Sequence, residues 1–230
     1  MPSSLAAINR RIVACRRCPE LRRYCAQVAL RGKPEFAGST YWGKPVPGLG
    51  NSRARVLIVG LAPAAHGGNR TGRMFTGDGS AAWLAPALFR NGFATQATSV
   101  ARRDGFALAD AYMTAAIRCA PPKNKPTRRQ LQRCADHMLA EFDSLRDLRV
   151  VVALGKIGFD AVLARLAQRG YRIPKPKPRF AHAAEYRLEA PGRPPLSIVA
   201  SYHPSRQNTN TGKLTQGMLD AIFRRARALL

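Results

Sequence analysis

Residues 56–78 read VLIVGLAPAAHGGNRTGRMFTGD, and this stretch decides the fold class. It begins with four consecutive apolar residues, Val56 to Val59, and then changes at once to a glycine-rich polar segment. A short, uninterrupted apolar run is typical of a strand that is buried on both faces of a parallel sheet. In such sheets, ligands bind beyond the carboxyl ends of the strands. The segment after Val59 is therefore a candidate site for functional residues.

Further apolar runs follow along the chain, with helical patterns between them. The runs lie at 111–117, 150–154 and 196–200, and the helical patterns at 80–89, after Thr127, at 159–166 and at 216–229. Thr127 and Gln130 fit a capping box, in which two side chains bond each other's backbone N–H groups at a helix start. This alternation predicts one α/β domain over residues 1–230, with a mainly parallel sheet covered by helices on both faces.

The charge balance is strongly basic. The chain has 38 Lys and Arg residues against 13 Asp and Glu residues, for a formal net charge of +25. Such an excess attracts polyanions, of which DNA is the obvious one. The alternative is a basic protein from a GC-rich genome, in which Arg replaces Lys. No apolar run approaches the roughly 20 residues that span a bilayer, and no coiled-coil pattern is present. We therefore expect a monomeric cytoplasmic protein that does not contact membranes.

Four of the five cysteines form two pairs. Cys15 and Cys18 are separated by two residues, and Cys119 and Cys134 by fourteen. Four thiolates fit either tetrahedral zinc or a [4Fe–4S] cluster, and the spacing alone does not separate the two. The alternative is a set of unrelated core cysteines. Cys25 is predicted to be a buried bystander.

Five sequence blocks occur in order along the chain. They are ACRRCPEL (14–21), YWGKPVPGLGN (41–51), GLAPAAHGGNRTGRMFTGD (60–78), RCAPPKNKPT (118–127) and SYHPSRQNTNTGKLT (201–215). With these blocks the sequence resembles the iron–sulfur uracil-DNA glycosylases, in their family 5 (type b) branch, over nearly its whole length. The resemblance implies a three-layer α/β/α fold with a central four-stranded parallel sheet. It also implies a structural [4Fe–4S] cluster on Cys15, Cys18, Cys119 and Cys134.

The activity that the resemblance implies is hydrolysis of the N-glycosidic bond of uracil in DNA, after the nucleotide is flipped out of the duplex. Phe75 is the candidate for stacking on the base, although it could be a core residue. Asp78 is the candidate for orienting water, although it could instead cap the helix that follows. A carboxylate there can also stabilise the oxocarbenium-like sugar that base departure leaves.

Two further residues are candidates for holding the base. His203 follows the last apolar run and can donate a hydrogen bond to a uracil carbonyl as charge builds there. Asn124 is the reader of the base edge that the resemblance implies, since one amide offers a donor and an acceptor; it could also be a simple turn residue. Gly60 and Ala62 are expected to border the base. His66 is a candidate for supporting them.

Contacts with the DNA itself are expected from two loops. Ser205, Arg206 and Gln207 follow the histidine motif, in a loop that in glycosylases tends to enter the duplex. Lys123 and Lys125, followed by Arg128 and Arg129, are candidates for phosphate contacts, or else a solvated basic surface.

The substrate range is expected to be broad. In the related family 4 branch a Glu follows the first glycine of the third block, whereas here Leu61 stands there. An apolar residue at this position favours a permissive pocket that also accepts other deaminated bases, such as hypoxanthine and xanthine. Two alternatives remain at this point: a DNA-binding protein of the same fold without activity, and a structural zinc module.

Overall fold

A computed structural model describes residues 4–230 and contains one six-stranded sheet in the order β1-β3-β2-β4-β6-β5. The strands are β1 (Leu49–Gly50), β2 (Val56–Gly60), β3 (Ala111–Ala115), β4 (Val150–Leu154), β5 (Glu185–Ala190) and β6 (Arg193–Ser201). The four central strands are parallel: Val56 pairs with Ala111 on one side and with Val150 on the other. The parallel α/β fold is confirmed.

The sheet has two strands more than the four that the resemblance implies. β1 and β5 lie at the two edges and run antiparallel to their neighbours. β1 is only two residues long, and β5 reads EYRLEA with a single fully buried residue, Leu188. Charged and short edge strands protect a sheet from pairing with other chains. For that reason neither strand produces an apolar run in the sequence.

Helices cover both faces of the sheet. They are α1 (Leu5–Val13), α2 (Pro19–Arg31), α3 (Gly68–Thr71), α4 (Gly79–Arg90), α5 (Arg128–Ser144), α6 (Lys156–Gln168), α7 (Arg206–Asn210) and α8 (Gln216–Ala228). Thr127 and Gln130 form the expected capping box at the start of α5, with Thr127 Oγ1 accepting from Gln130 N at 3.2 Å. None of the helices between residues 4 and 230 could cross a bilayer by length and apolar character.

Successive residues of β2 pack alternately into two separate hydrophobic cores, one on each face of the sheet. Val56 and Ile58 pack with side chains of α4 and α8, whereas Leu57 and Val59 pack with those of α1, α5 and α6. Each strand residue points to the face opposite its neighbour's. Because both faces are apolar, the strand must be apolar throughout, as the opening stretch of sequence indicates.

A buried ion pair joins the segment after β3 to α5. Arg118 donates from Nη2 to Oε2 of Glu141, and both side chains are almost completely buried. Glu141 also accepts from Tyr112 Oη at 2.9 Å and from Thr114 Oγ1 at 2.8 Å. The carboxylate of Glu141 therefore ties the middle of α5 to β3 and to the segment that follows it.

Candidate active site

The loops that follow the four parallel strands converge at one edge of the sheet. Backbone bonds join them: Ala116 N donates to Gly60 O at 2.9 Å, and Gly155 N donates to Ser201 O at 2.8 Å. Ile117 N also donates to Leu61 O, at 3.1 Å. The polar segments that follow the apolar runs are thus brought to a common edge, as parallel topology requires.

Phe75 and His203 lie side by side at this edge, although 128 positions separate them in the sequence. Their ring centroids are 5.9 Å apart, with the ring planes tilted by 32°. The Phe75 ring lies against Gly60, where an added Cβ would come within 2.5 Å of Phe75 Cζ. The Phe75 ring therefore packs directly on the Gly60 backbone, and any larger residue at position 60 would displace the ring.

The backbone of Phe75 is held in an unfavourable conformation. Its φ is 47°, in the left-handed region that a bulky side chain rarely adopts. Its neighbours Met74 and Thr76 are both buried. Strain of this kind persists only where the surroundings over-determine it, and it is common at functional sites. The ring is half-buried, so one part of it remains open to a ligand.

His203 is fixed from its backbone. Its carbonyl accepts from Ser205 N at 2.7 Å and from Asn208 Nδ2 at 2.9 Å. Its Cβ lies 3.2 Å from the position of a Cβ on Gly155, which has a positive φ of 84°. Burial lowers the pKa of His203 from 6.5 to about 4. The imidazole is therefore neutral near pH 7, which suits a group that donates a hydrogen bond without transferring a proton.

Asp78 is the N-cap of α4, where its Oδ1 accepts from Ala81 N at 2.9 Å. The carboxylate lies against Gly67, where a Cβ would come within 2.0 Å of Oδ2. Burial raises the pKa of Asp78, while N–H groups of the first turn and the charges of Arg70 and Arg206 oppose that rise. The capping role is confirmed. It leaves further acceptor positions on the carboxylate, so capping and orientation of water are compatible.

The remaining base-contact candidates lie in different surroundings. Ala62 is half-buried and packs against the apolar cluster around Cys25 and Cys119. Asn124 is exposed, in a short 3-10 turn after β3, and its side chain makes no hydrogen bond within residues 4–230. Lys123 and Asn124 both have positive φ values, of 54° and 55°. The structure therefore brings Phe75, His203 and Gly60 into contact, but not Asn124.

The DNA-contact candidates are on the surface. Ser205 caps the short helix α7, and its side chain accepts from Asn208 N. Arg206 and Gln207 are exposed, as are Lys123, Lys125, Arg128 and Arg129. The Arg206 side chain passes Gly79, with its Nε 3.3 Å from where a Cβ would stand. Arg206 therefore lies beside the residue that follows Asp78.

Supporting residues at this edge include some that no sequence pattern indicates. His66 Nδ1 is 2.9 Å from Tyr41 Oη. His182 stacks on Tyr202, with the ring centroids 5.1 Å apart, and its Nδ1 accepts from Tyr202 N. It therefore supports the residue before His203. The sequence gives no signal for these contacts. His66 and Tyr41 are 25 positions apart and His182 and Tyr202 are 20 apart, and no local motif links residues at such separations.

The cysteines of the two pairs line one small cavity between the start of α2 with the segment before it, α5, and the segment after β3. Its lining includes Cys15, Cys18, Cys119 and Cys134. Cys25 is buried next to Cys119, with its Sγ 3.6 Å from Ala120 O. Burial raises the pKa of the Cys134 thiol to about 11. No three His, Cys, Asp or Glu side chains of residues 4–230 are arranged to hold a single metal ion.

Comparisons with known proteins agree on one family. Residues 47–227 match the model of the uracil DNA glycosylase superfamily. A type-5 uracil-DNA glycosylase of Thermus thermophilus is 46% identical over 95% of this chain and 94% of its own length. One of Mycobacterium tuberculosis is 44% identical over 98% of this chain and 82% of its own. A type-4 uracil-DNA glycosylase of Archaeoglobus fulgidus is 25% identical over 88% of this chain.

The low pKa of His203 gives a direct prediction. Between pH 6.5 and about 4 the unfolded chain binds a proton at His203 that the folded chain does not bind. Stability attributable to this group is therefore lost as the pH falls through that window. NMR of the ring protons should show His203 neutral down to about pH 4, with the signal assigned from a His203→Gln variant. A titration midpoint close to 6.5 would contradict the lowered pKa of His203.

Proposed function

This chain belongs to the uracil DNA glycosylase superfamily, and we propose that it removes uracil from DNA by hydrolysing the N-glycosidic bond. The observation that carries the proposal is the arrangement at the edge of the sheet: the Phe75 ring rests on Gly60 beside a neutral His203. Asp78 lies on the same loop as Phe75. These are the groups that cleavage of a flipped nucleotide needs.

The base is held by its face and by one carbonyl. With the nucleotide flipped out, Phe75 stacks on the base through the half-buried ring face. His203 donates a hydrogen bond to a uracil carbonyl, where negative charge accumulates as the glycosidic bond breaks. A fixed donor in a site that excludes water stabilises that charge strongly. Because the imidazole is neutral near pH 7, it has no positive charge to lose or transfer in this step.

Asp78 acts on the sugar. Departure of the base leaves positive charge on the deoxyribose ring, which a nearby carboxylate stabilises. The same carboxylate orients the water that attacks the sugar on the face opposite the leaving base. Fixation by the Ala81 N–H holds one oxygen in place, so the carboxylate is oriented before the substrate arrives.

The base edge and the DNA strand are read by the surrounding loops. We propose that Asn124 reads the base edge from the loop after β3, whose strand neighbours β2. Its positive φ is consistent with a loop shaped for a ligand. Ser205, Arg206 and Gln207 would enter the duplex, and Lys123 and Lys125 would contact phosphates. We also propose that the protein works in the cytoplasm as a monomer, as expected from the sequence.

We further propose that Cys15, Cys18, Cys119 and Cys134 hold a [4Fe–4S] cluster. Two observations support a metal centre at these thiols, and the resemblance favours the cluster over zinc. The four thiols line one cavity. In a cluster each thiolate sulfur binds its own iron, so four cysteines around one cavity can serve as its ligands.

The second observation concerns Arg118, which lines the same cavity. Its Nε and Nη1 are buried without a hydrogen-bond partner among the described residues. Unpaired buried donors are unusual in native proteins. The sulfur atoms of a cluster would accept hydrogen bonds from these two nitrogens. A bound cluster would supply a covalent tie between the N-terminal helices and α5.

Asp78→Asn is the sharpest test of the reaction. Asn caps helices as well as Asp does, so the fold should be kept, but the negative charge is lost. We expect the rate constant for excision to fall by about 10²-fold or more. It is measured in single turnover on a uracil-containing duplex, by strand cleavage in alkali. Binding to that duplex should be retained.

The control is Asp143→Asn, which removes the same charge from an exposed position and should leave excision unchanged. An excision rate for Asp78→Asn equal to that of the wild type would remove the carboxylate from the mechanism. If the wild-type protein itself left the uracil strand intact, the glycosylase proposal would fail and the inactive DNA-binding alternative would stand.

The substrate range is tested with the same assay. Leu61 is half-buried at the end of β2 and uses its carbonyl to bond Ile117 N. Its side chain is apolar, so it has no polar group that would exclude a base whose hydrogen-bonding edge differs from that of uracil. We therefore propose that hypoxanthine and xanthine are also removed. Duplexes with each base opposite each partner provide the measurement, and strict activity on uracil would overturn this part.

The cluster is tested by composition and by substitution. Protein purified without air should contain iron and acid-labile sulfide in equal amounts and lose its visible absorbance on oxidation. Cys119→Ala should lose the iron and melt at a lower temperature, because metal binding contributes to folding. Cys25→Ala, a buried neighbour outside the set, should keep its iron. A colourless protein that contains zinc would overturn the cluster.

A further inference from the structure

Arg73 lies two residues before Phe75, and its side chain is only 6% exposed. Every nitrogen of its guanidinium is bonded. Nε donates to Thr76 Oγ1 at 2.9 Å, and Nη1 donates to the carbonyls of Arg102 and Phe106 at 3.1 and 3.3 Å. Nη2 donates to the carboxylate of Asp104 at 2.7 and 2.9 Å. A buried cation bonded in this way fixes the relative position of the segments it joins.

Most of these partners belong to one segment, residues 99–106, which we call the clasp. The clasp is folded around Asp104, whose carboxylate accepts from Val100 N at 2.7 Å and from Ala101 N and Phe106 N at 3.0 Å. Burial opposes ionisation of Asp104, but these N–H groups and Arg73 outweigh it and hold the pKa of Asp104 below its usual range. The clasp therefore presents a fixed negative charge to the loop that carries Phe75.

The clasp also bonds the loop on the other side of the ring. Thr76 Oγ1 lies 2.8 Å from Ser99 Oγ, and Gly77 N donates to Ser99 O at 2.8 Å. Ser99 Oγ accepts from Arg73 Nη2 at 2.9 Å as well. Phe75, with its strained φ of 47°, thus sits between two points of attachment to the same segment.

We propose that Arg73 and Asp104 are positioning residues that hold the Phe75 ring over Gly60 for stacking on the flipped base. Neither residue contacts the base. They act by keeping the strained backbone of Phe75 from relaxing, which would turn its ring away from Gly60 and His203. The inference rests on the glycosylase activity proposed above, and it adds a specific role for a segment outside the catalytic loops.

Arg73→Lys tests the geometry of the contact, because Lys keeps the charge but cannot form the forked set of bonds. We expect the single-turnover excision rate constant to fall about 10-fold or more, since small displacements of reacting groups have effects of that size. Affinity for an undamaged duplex should stay within about threefold, because the phosphate contacts that dominate it are unchanged. Asp104→Asn should have a similar effect on excision.

A double-mutant cycle separates positioning from general damage to the fold. If Arg73 acts through the Phe75 ring, Arg73→Lys should have little effect on excision in a Phe75→Leu background, within about twofold, because coupled residues are not additive. The same fold loss in both backgrounds would overturn the proposal. Arg90→Lys, which alters an exposed pair with Asp220, is the control and should leave both rates unchanged.

A milder variant covers the case in which Arg73→Lys and Asp104→Asn do not fold. Ser99→Ala removes one hydroxyl that bonds both Arg73 and Thr76, and its melting temperature shows whether the fold is intact. A folded Ser99→Ala protein with wild-type excision would also contradict the role of the clasp. Every variant is compared with uracil excision by the wild-type protein. If the wild-type protein did not excise uracil, that result would count against the proposed activity and not against the role of the clasp.

Discussion

The hydrogen bonds of the Glu141 carboxylate join the sheet to the helix α5, and the thiol cavity depends on this connection. The carboxylate is fully buried, and it accepts hydrogen bonds from Arg118, Tyr112 and Thr114. Removing one partner of such a pair costs about 3–5 kcal/mol, because an unpaired charge is left in the interior. Cys119 follows Arg118, and Cys134 lies two turns before Glu141 on the same helix. One buried carboxylate therefore ties the helix that carries Cys134 to β3 and to the segment that carries Cys119.

The centre of the fold could be predicted from the sequence because it is determined by local composition. A strand with helices on both faces must be apolar at every position, and Val56 to Val59 meet that condition. The order of strands and helices then brings polar segments to one edge, and within those segments the resemblance indicates Phe75, Asp78 and His203. The edge strands could not be predicted, because a protected edge is short or charged and lacks an apolar run.

The contacts that fix the site could not be found in the sequence for a different reason. Arg73 and Asp104 are 31 positions apart, and neither stands in a pattern that distinguishes it from the many other charged residues. Their pairing depends on how the chain returns after α4, which no local rule specifies. Arg118 is similar, since only the fold shows that it lies beside the thiols. The resemblance placed Asn124 at the base, whereas the structure leaves it exposed on its turn; the contact that would place it there is with a substrate.

The cap that Asp78 provides has a consequence for how related sequences are interpreted. Its carboxylate starts α4 whether or not a substrate is ever bound. A descendant that had lost its activity would still need a capping side chain at this position, such as Asp, Asn, Ser or Thr, because the helix would otherwise begin with an unpaired backbone donor. An aspartate at this position is therefore, by itself, weak evidence of catalysis. The glycine under the aromatic ring, Gly60, is no stronger evidence by itself, since a Cβ there would meet Phe75 Cζ at 2.5 Å whether or not a base is ever bound.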